Sequence, residues 1–302
     1  MGFAADFLRG RPWEGYTRRL EAAGTALPPM RFPRARPLVS VIIPTKNSAR
    51  TLALCLKALR GQTYPRIEVL VNDDRSKDGT PGIARRLGAK LLTINRGMAQ
   101  GRNSAVPRAR GRYLFHVDSD MELTPRVVEE CVWLCEAKGY DALIVPEVSV
   151  ATTYWGRCRA LEKLTFLGDP FMEVANRFMR RSAFEAVGGF DETLMAGEDF
   201  DFFERLKALG LAWGRCTSVI RHHELPSLRQ TLAKCVRYGR TFRGYIAKHP
   251  AKSGMQFSPL RPAYLRRAPI LLLDPAHLAG LITMKSLMYL FTAYGLVISF
   301  FG

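Results

Sequence analysis

Apolar positions along the chain follow two alternating rhythms. Continuous β-branched runs such as "LVSVIIP" (38–44) and "IEVLV" (67–71) suit strands buried on both faces. Between them, apolar residues recur three or four apart. In "SARTLALCLKALRG", Leu52, Leu56 and Leu59 share one helical face, Ser48 can cap the start and Gly61 the end. "TPGIARRLG" predicts a short helix, "LLTI" (91–94) a third strand, "NRGMAQGRNSAVPRARG" a loop and helix, and "YLFHV" a fourth strand. Thr124 and Pro125 then predict a helix start with Val128, Cys131, Val132 and Cys135 inward, before a fifth strand in "DALIVP". Such alternation predicts an α/β fold: a doubly wound, mainly parallel sheet with helices on both faces. Ligands of such sheets sit at the carboxyl ends of the strands, which gathers 44–48, 72–76 and 118–120 around one crevice.

The second half is more mixed. "NRFMRRSAFEAVGGFDETLMAGEDFDFFERLKALG" holds a short strand, a helix and a "GGFDE" turn. An acidic cluster then opens a helix with Phe202, Phe203, Leu206 and Leu209 as its apolar face, and "LAWGRCTSVIRHHE" predicts a strand ending in two histidines. From 225 to 273 there are ten lysines and arginines and no acid, and a long basic amphipathic helix is expected over about 226–248. From 286 to 302 there is no charge. A spanning helix needs roughly 20 apolar residues. Joined to 280–284 this segment can span, with Lys285 snorkelling or facing protein. It can also lie in the membrane interface, or pack on the protein's own core. The expected organisation is a basic arm (1–37), a catalytic unit (38–225), a basic helical region (226–268) and an apolar, membrane-associated segment (269–302). The catalytic unit divides into a nucleotide-binding half (38–122) and an acceptor half (123–225).

Composition narrows the class. The chain has 302 residues, 47% of them hydrophobic, enough for one large domain with or without appendages. The formal charge of +18, from 45 Lys+Arg against 27 Asp+Glu, suits nucleic acid, a membrane surface or a phosphorylated substrate; the plain alternative is a solvated basic surface. None of the six cysteines forms a C-x-x-C pair, which points to a reducing compartment and no structural zinc. No long apolar core stands near the N-terminus, so no cleaved signal peptide is expected.

The candidate chemistry starts at "HVDSD". Asp118 and Asp120 flank Ser119 at a predicted strand end. Alternate residues of an extended segment point the same way, so both carboxylates can converge. Two readings stand: a polar strand end with solvated acids, or a cation between the carboxylates, where Mg²⁺ or Mn²⁺ takes one or two carboxylates plus substrate phosphates. Glu198 and Asp199 open a helix, where the dipole favours carboxylates.

Over about 38–245 the chain resembles the family-two glycosyltransferases of the GT-A fold. The resemblance rests on "VSVIIPTKNSARTLALCLKALRGQTYPRIEVLVNDDRSKDGT", "HVDSDMELTP" and "GGFDETLMAGEDFDFFERL", in that order. It implies an inverting enzyme that moves a sugar from a nucleoside-diphosphate sugar to an acceptor hydroxyl. Asp74 would hold the nucleotide base, with Pro44, Lys46, Asn72 and Ser119 in the donor pocket. Lys46 stands where many members carry an aromatic residue. Arg102 resembles the positive residue of the loop over the donor. Asp118 would face the ribose or the metal, Asp120 would ligate the metal, and a histidine completes the metal site. The spacing favours His222 over His223, and neighbours on an extended segment point oppositely. Asp199 would be the base and Glu198 its helper or an acceptor contact. The expected acceptor is a lipid-linked glycan, with a polyprenyl phosphate as the alternative, at the cytoplasmic face of an anionic membrane. Another class remains, a non-catalytic sugar- or nucleic-acid-binding protein. Nucleic acid is not expected, since the acids gather where its groove would lie and no RNA-binding signature occurs.

Overall fold

The computed structural model describes residues 12–32, 36–93, 97–169, 172–173, 175–194, 196–225, 227–256, 258 and 261–299. Ile94 of the expected third strand, the start of the basic arm, Met195 and the last three residues of the apolar segment lie outside the described residues.

Strand β1 (Val39–Thr45) is buried along its length, as its β-branched run requires. It lies between β2 (Ile67–Asp73) and β4 (Tyr113–His116), parallel to both, with Thr45 beside Asp73 and Ile42 beside His116. With β3 (Lys90–Leu92), β6 (Ala142–Ile144), β8 (Asn176–Arg180) and β9 (Trp213–Arg215), they form a seven-stranded sheet in the order β3-β2-β1-β4-β8-β6-β9. Strand β8 is antiparallel to both neighbours, and the other pairings are parallel. The chain order reverses between β1 and β4, so the crevice opens at their carboxyl ends. A second sheet joins β10 (Ile220–His223) to β5 (Met121–Leu123) and β7 (Glu147–Val150).

Helices cover both faces. Val41 and Ile43 point to one side, where α2 (Ala49–Arg60) and α5 (Val127–Lys138) supply Leu52, Leu56, Cys131 and Cys135. Ile42 points to the other, against Phe202, Phe203 and Leu206 of the helix Glu198–Ala208. Further helices are α1 (Pro12–Thr25), α3 (Thr80–Arg86), α4 (Met98–Ala105), α6 (Tyr154–Leu164) and α7 (Arg181–Val187). The helix Glu198–Ala208 is thus α8, and α9 (Leu228–Gly239), α10 (Phe242–Lys248) and four more follow. The last is α14 (Pro275–Ile298), whose Leu281 and Met284 pack on Leu161 and Leu164 of α6. All six cysteines are buried and free.

Several local expectations are corrected. Thr124 does not cap a helix: its hydroxyl donates to the Val219 carbonyl at 2.9 Å, and α5 starts only at Val127. The expected single helix over 226–248 breaks at Arg240 and Thr241 into α9 and α10. Leu209 is 54% exposed, because it lies just past the end of α8 as its C-cap. Ser48 holds the N-cap position of α2 but makes no side-chain cap bond; its hydroxyl accepts from Ser119 at 2.9 Å.

Candidate active site

A cleft of about 580 Å³ opens at the carboxyl end of β1. Pro44, Lys46, Ser48 and Asp74 line one part; Ser119, Asp120, His222 and His223 line another. Helices α6 and α9 add Arg159, Lys163, Lys234 and Arg237. The Asp74 carboxylate is engaged by Lys46 Nζ at 2.9 Å, so Lys46 fills the place beside this acid. Asn72 is fully buried and does not line the cleft. Its amide donates to the Gly101 carbonyl at 2.8 Å and the Ser104 hydroxyl at 2.9 Å, which ties β2 to α4.

Asp118 and Asp120 part company. Residues 119 and 120 form a turn, closed by the Met121 amide donating to the Asp118 carbonyl at 3.1 Å. The alternation of an extended segment is lost there. Asp120 faces the cleft, and Asp118 turns to two guanidinium groups, Arg102 at 2.8 Å and Arg177 at 3.2 Å. Burial alone would raise its pKa; Arg177 and Arg102 outweigh burial and hold the carboxyl well below the usual range. Asp118 is therefore an internal counterion rather than a cleft-facing ligand. Arg102 is corrected likewise. It does not cover the cleft but lies buried, its other nitrogen 3.0 Å from Glu198.

Arg177 was not legible as a site residue. It reaches Glu147 at 2.6 Å, and Glu147 reaches His222 Nδ1 at 3.2 Å. His222 Nε2 stands 3.4 Å from Asp120. An alternating row of charges thus runs Glu198–Arg102–Asp118–Arg177–Glu147–His222–Asp120. The sequence signals were charged residues inside apolar strands, Arg177 in "NRFMR" and Glu147 in "EVSV". Burial and Lys163 oppose a charge on His222, but Asp120 and Glu147 prevail and its pKa is pushed up to about 9. Strand β10 places His222 beside Met121 of β5 and Ser149 of β7, while His223 turns to Glu122 at 3.2 Å. The two histidines do point oppositely, and His222 is the one paired with Asp120.

The acidic helix start divides in the same way. Gly197 has φ +82°, and a Cβ there would meet the Tyr245 ring at 2.8 Å, so glycine is required at this turn. Glu198 is buried against Arg102; burial and Asp199 push its pKa up to about 7 against the pull of Arg102. Asp199 is half-buried, and one of its oxygens accepts from the Phe200 amide at 2.9 Å.

The profile of glycosyl transferase family 2 matches residues 40–188. Glycosyltransferase AglE of Haloferax volcanii is 29% identical over 223 residues, 68% of this chain and 72% of that protein. Residues 40–188 of this chain belong to glycosyltransferase family 2. A chondroitin synthase of Pasteurella multocida is 29% identical over 58% of this chain, which spans only 19% of that larger protein. A mannosyltransferase of Pyrobaculum calidifontis, solved with GDP-Man and Mn²⁺, superposes with a TM-score of 0.59 over 98% of this chain and 96% of its own, at 21% identity. That likeness shows the GT-A fold, and the chain is a transferase that uses nucleotide sugars.

The donor set of this family-two chain suits a divalent cation. Among the described residues no group of three His, Cys, Asp or Glu could hold a metal. Asp120 and His222 face one another on the cleft, and a diphosphate supplies the remaining oxygens that such ions take.

Proposed function

We propose that this glycosyltransferase moves a sugar, with inversion, from a nucleoside-diphosphate sugar to a hydroxyl of a lipid-linked glycan at the cytoplasmic face of an anionic membrane. The observation that carries the reading is the convergence of Asp74, Asp120 and His222 on one cleft. Asp74, released from Lys46, receives the base, beside Pro44 and Ser119. Asp120 and His222 hold the divalent cation. Imidazole and carboxylate together favour Mn²⁺ over Mg²⁺. When bound, the ion stabilises the negative charge that develops on the leaving diphosphate. Asp199 accepts the proton of the attacking hydroxyl as the new glycosidic bond forms and the bond to the diphosphate breaks. Glu198, fixed by Arg102, sets the start of α8 and hence the place of Asp199.

One observation favours a second reading, transfer directly to a polyprenyl phosphate. Lys234 and Arg237 line the cleft, and among the described residues neither has a carboxylate partner within ion-pair distance. A phosphate would complete them. Binding of nucleoside diphosphates with and without Mn²⁺ is tested by thermal shift, since a ligand of the native state raises stability by mass action. Labelled sugar transfer to glycan-lipid and to polyprenyl phosphate then separates the acceptors. If no nucleoside diphosphate or its sugar stabilises the chain in the presence of Mn²⁺, both readings fall and a non-catalytic binding role takes their place.

A further inference from the structure

Helix α14 has two unlike faces. Its inner face is welded to the catalytic unit by glycines. A Cβ on Gly239 of α9 would stand 2.2 Å from the Thr292 carbonyl oxygen, and a Cβ on Gly295 would stand 2.3 Å from that of Val236. The two backbones therefore touch in an antiparallel crossing that admits no side chain. Nearer its start, a Cβ on Gly280 would stand 2.3 Å from Tyr154 Oη of α6. Between these contacts Lys285 Nζ reaches the fully buried Glu162 at 2.8 Å. Met288 lies against the cleft itself. The outer face is apolar: Ile282 is 61% exposed, Leu290 63%, Tyr294 58% and Val297 53%. No exposed position from 275 to 297 carries a charge. Helix α14 is long and apolar enough to cross a membrane, with a mean hydropathy of 1.5, yet crossing would strip every one of the inner contacts and leave Glu162 without Lys285.

We infer that α14 lies along the surface of an anionic bilayer, its Ile282–Leu290–Tyr294–Val297 face sunk among the lipids and its glycine face on the enzyme. The inference rests on the membrane part of the proposed function and gives it a geometry. An exposed, uncharged apolar face this long is uncommon on a monomeric surface and suits contact with acyl chains. The sequence from 225 to 273 carries ten cations and no acid. Lys248 and Arg266 are paired with acids elsewhere in the protein and Arg261 is buried, while Arg229 and Arg240 stand exposed on and just after α9 as the charge complement. Leu265, 81% exposed, adds an apolar group on the same region. A bilayer on this side lies close to the cleft, because Met288 belongs to the same helix. A lipid-linked acceptor can then enter without leaving the membrane.

Vesicle co-sedimentation of the full chain tests the placement, with phosphatidylglycerol–phosphatidylcholine vesicles against phosphatidylcholine alone. The expected result is binding to the anionic vesicles, weakened by salt, released by alkaline carbonate, and reduced at least tenfold in Leu290→Glu and in Tyr294→Glu. Three results overturn it. Retention in carbonate-washed membranes would mean a spanning helix. Equal binding by the variants would place the contact elsewhere. A detergent-free dimer dissociated by Leu290→Glu would make a second copy the occupant. Mn²⁺-dependent hydrolysis of nucleotide sugar, read in the same samples without vesicles, separates this from the transferase reading: it should persist in both variants whichever way the binding falls.

Discussion

Two buried ionic clusters meet at helix α6 and do different work. The row from Glu198 to Asp120 is open at one end. Glu198, beside Asp199, is buried; the other end faces the cleft through Asp120, and Lys163 of α6, itself paired with Glu224, joins the row at His222. The cluster around Glu162 lies one residue earlier on the same helix and is closed around its carboxylate, with only Arg159 reaching the cleft. Arg159, Lys285 and Tyr264 saturate a carboxylate with no exposed surface. Both clusters bury charge, which costs desolvation unless every partner is present. Only the open one brings an acid and an imidazole, Asp120 and His222, to the cleft wall; the Glu162 cluster presents a guanidinium alone. Burial and alternating sign therefore do not distinguish a working site from a structural one. What distinguishes them is whether the row ends in a carboxylate facing the cleft.

The contrast is broken or sharpened by substitution. Asp199→Asn should lower sugar transfer by about 10²–10⁴-fold with little change in the donor KM, as loss of a general base does; steady-state transfer assays read this. Asp120→Asn should lower turnover by about 100-fold, some 3 kcal/mol, and weaken Mn²⁺ binding in the presence of nucleoside diphosphate, measured by the paramagnetic resonance of free Mn²⁺. Neither should reduce stability much. Arg177→Met, in the middle of the open row, strands Asp118 and Glu147, and denaturant unfolding should show a loss of about 3–5 kcal/mol. In the closed cluster the effects fall on stability alone. Burial raises the Glu162 pKa, but Arg159 and Lys285 prevail and bring it down to about 2. A depressed carboxyl contributes stability that is full above its unfolded value of about 4.5 and is lost as pH falls toward 2, on the order of 3 kcal/mol. Lys285→Met should shrink that acid-side loss without changing turnover. A fall in turnover comparable to that of Asp120→Asn would erase the distinction between the clusters. The smallest effect is expected at His223→Ala, within about 0.5 kcal/mol of stability, since the half-buried His223 ring pairs with Glu122 at the rim of the cleft.

The central fold was legible because local pattern and burial agree there. Strands β1 and β2 are rich in valine and isoleucine, and the acids Asp74 and Asp120 follow strand ends in the order a switch-point crevice demands. The legible part of the site stops where turns and long-range pairing begin. Alternation predicted Asp118 and Asp120 on one side, and a turn at Ser119 separated them. Arg102 read as the positive residue of a loop over the donor, yet its partners are 16 and 96 residues away. Nothing local marks such a meeting. The same holds for Glu147 and Arg177, 30 residues apart and unremarkable until β7 and β8 bring them together. The chain's last helix was readable as apolar and not as welded, because a glycine in a sequence does not say which backbone will press against it.

The six buried thiols give the molecule a property of another kind. A buried cysteine reacts with an alkylating reagent only when the chain around it opens. Cys55 donates to the Asp118 carbonyl at 3.7 Å, so its labelling records loosening behind the cleft. Cys158 borders Gly280, 2.6 Å from where a Cβ would stand, so it is shielded by α14. Labelling of Cys158 would clock the lifting of the last helix. One polypeptide thus carries separate timers for its catalytic floor and for the seat of its last helix.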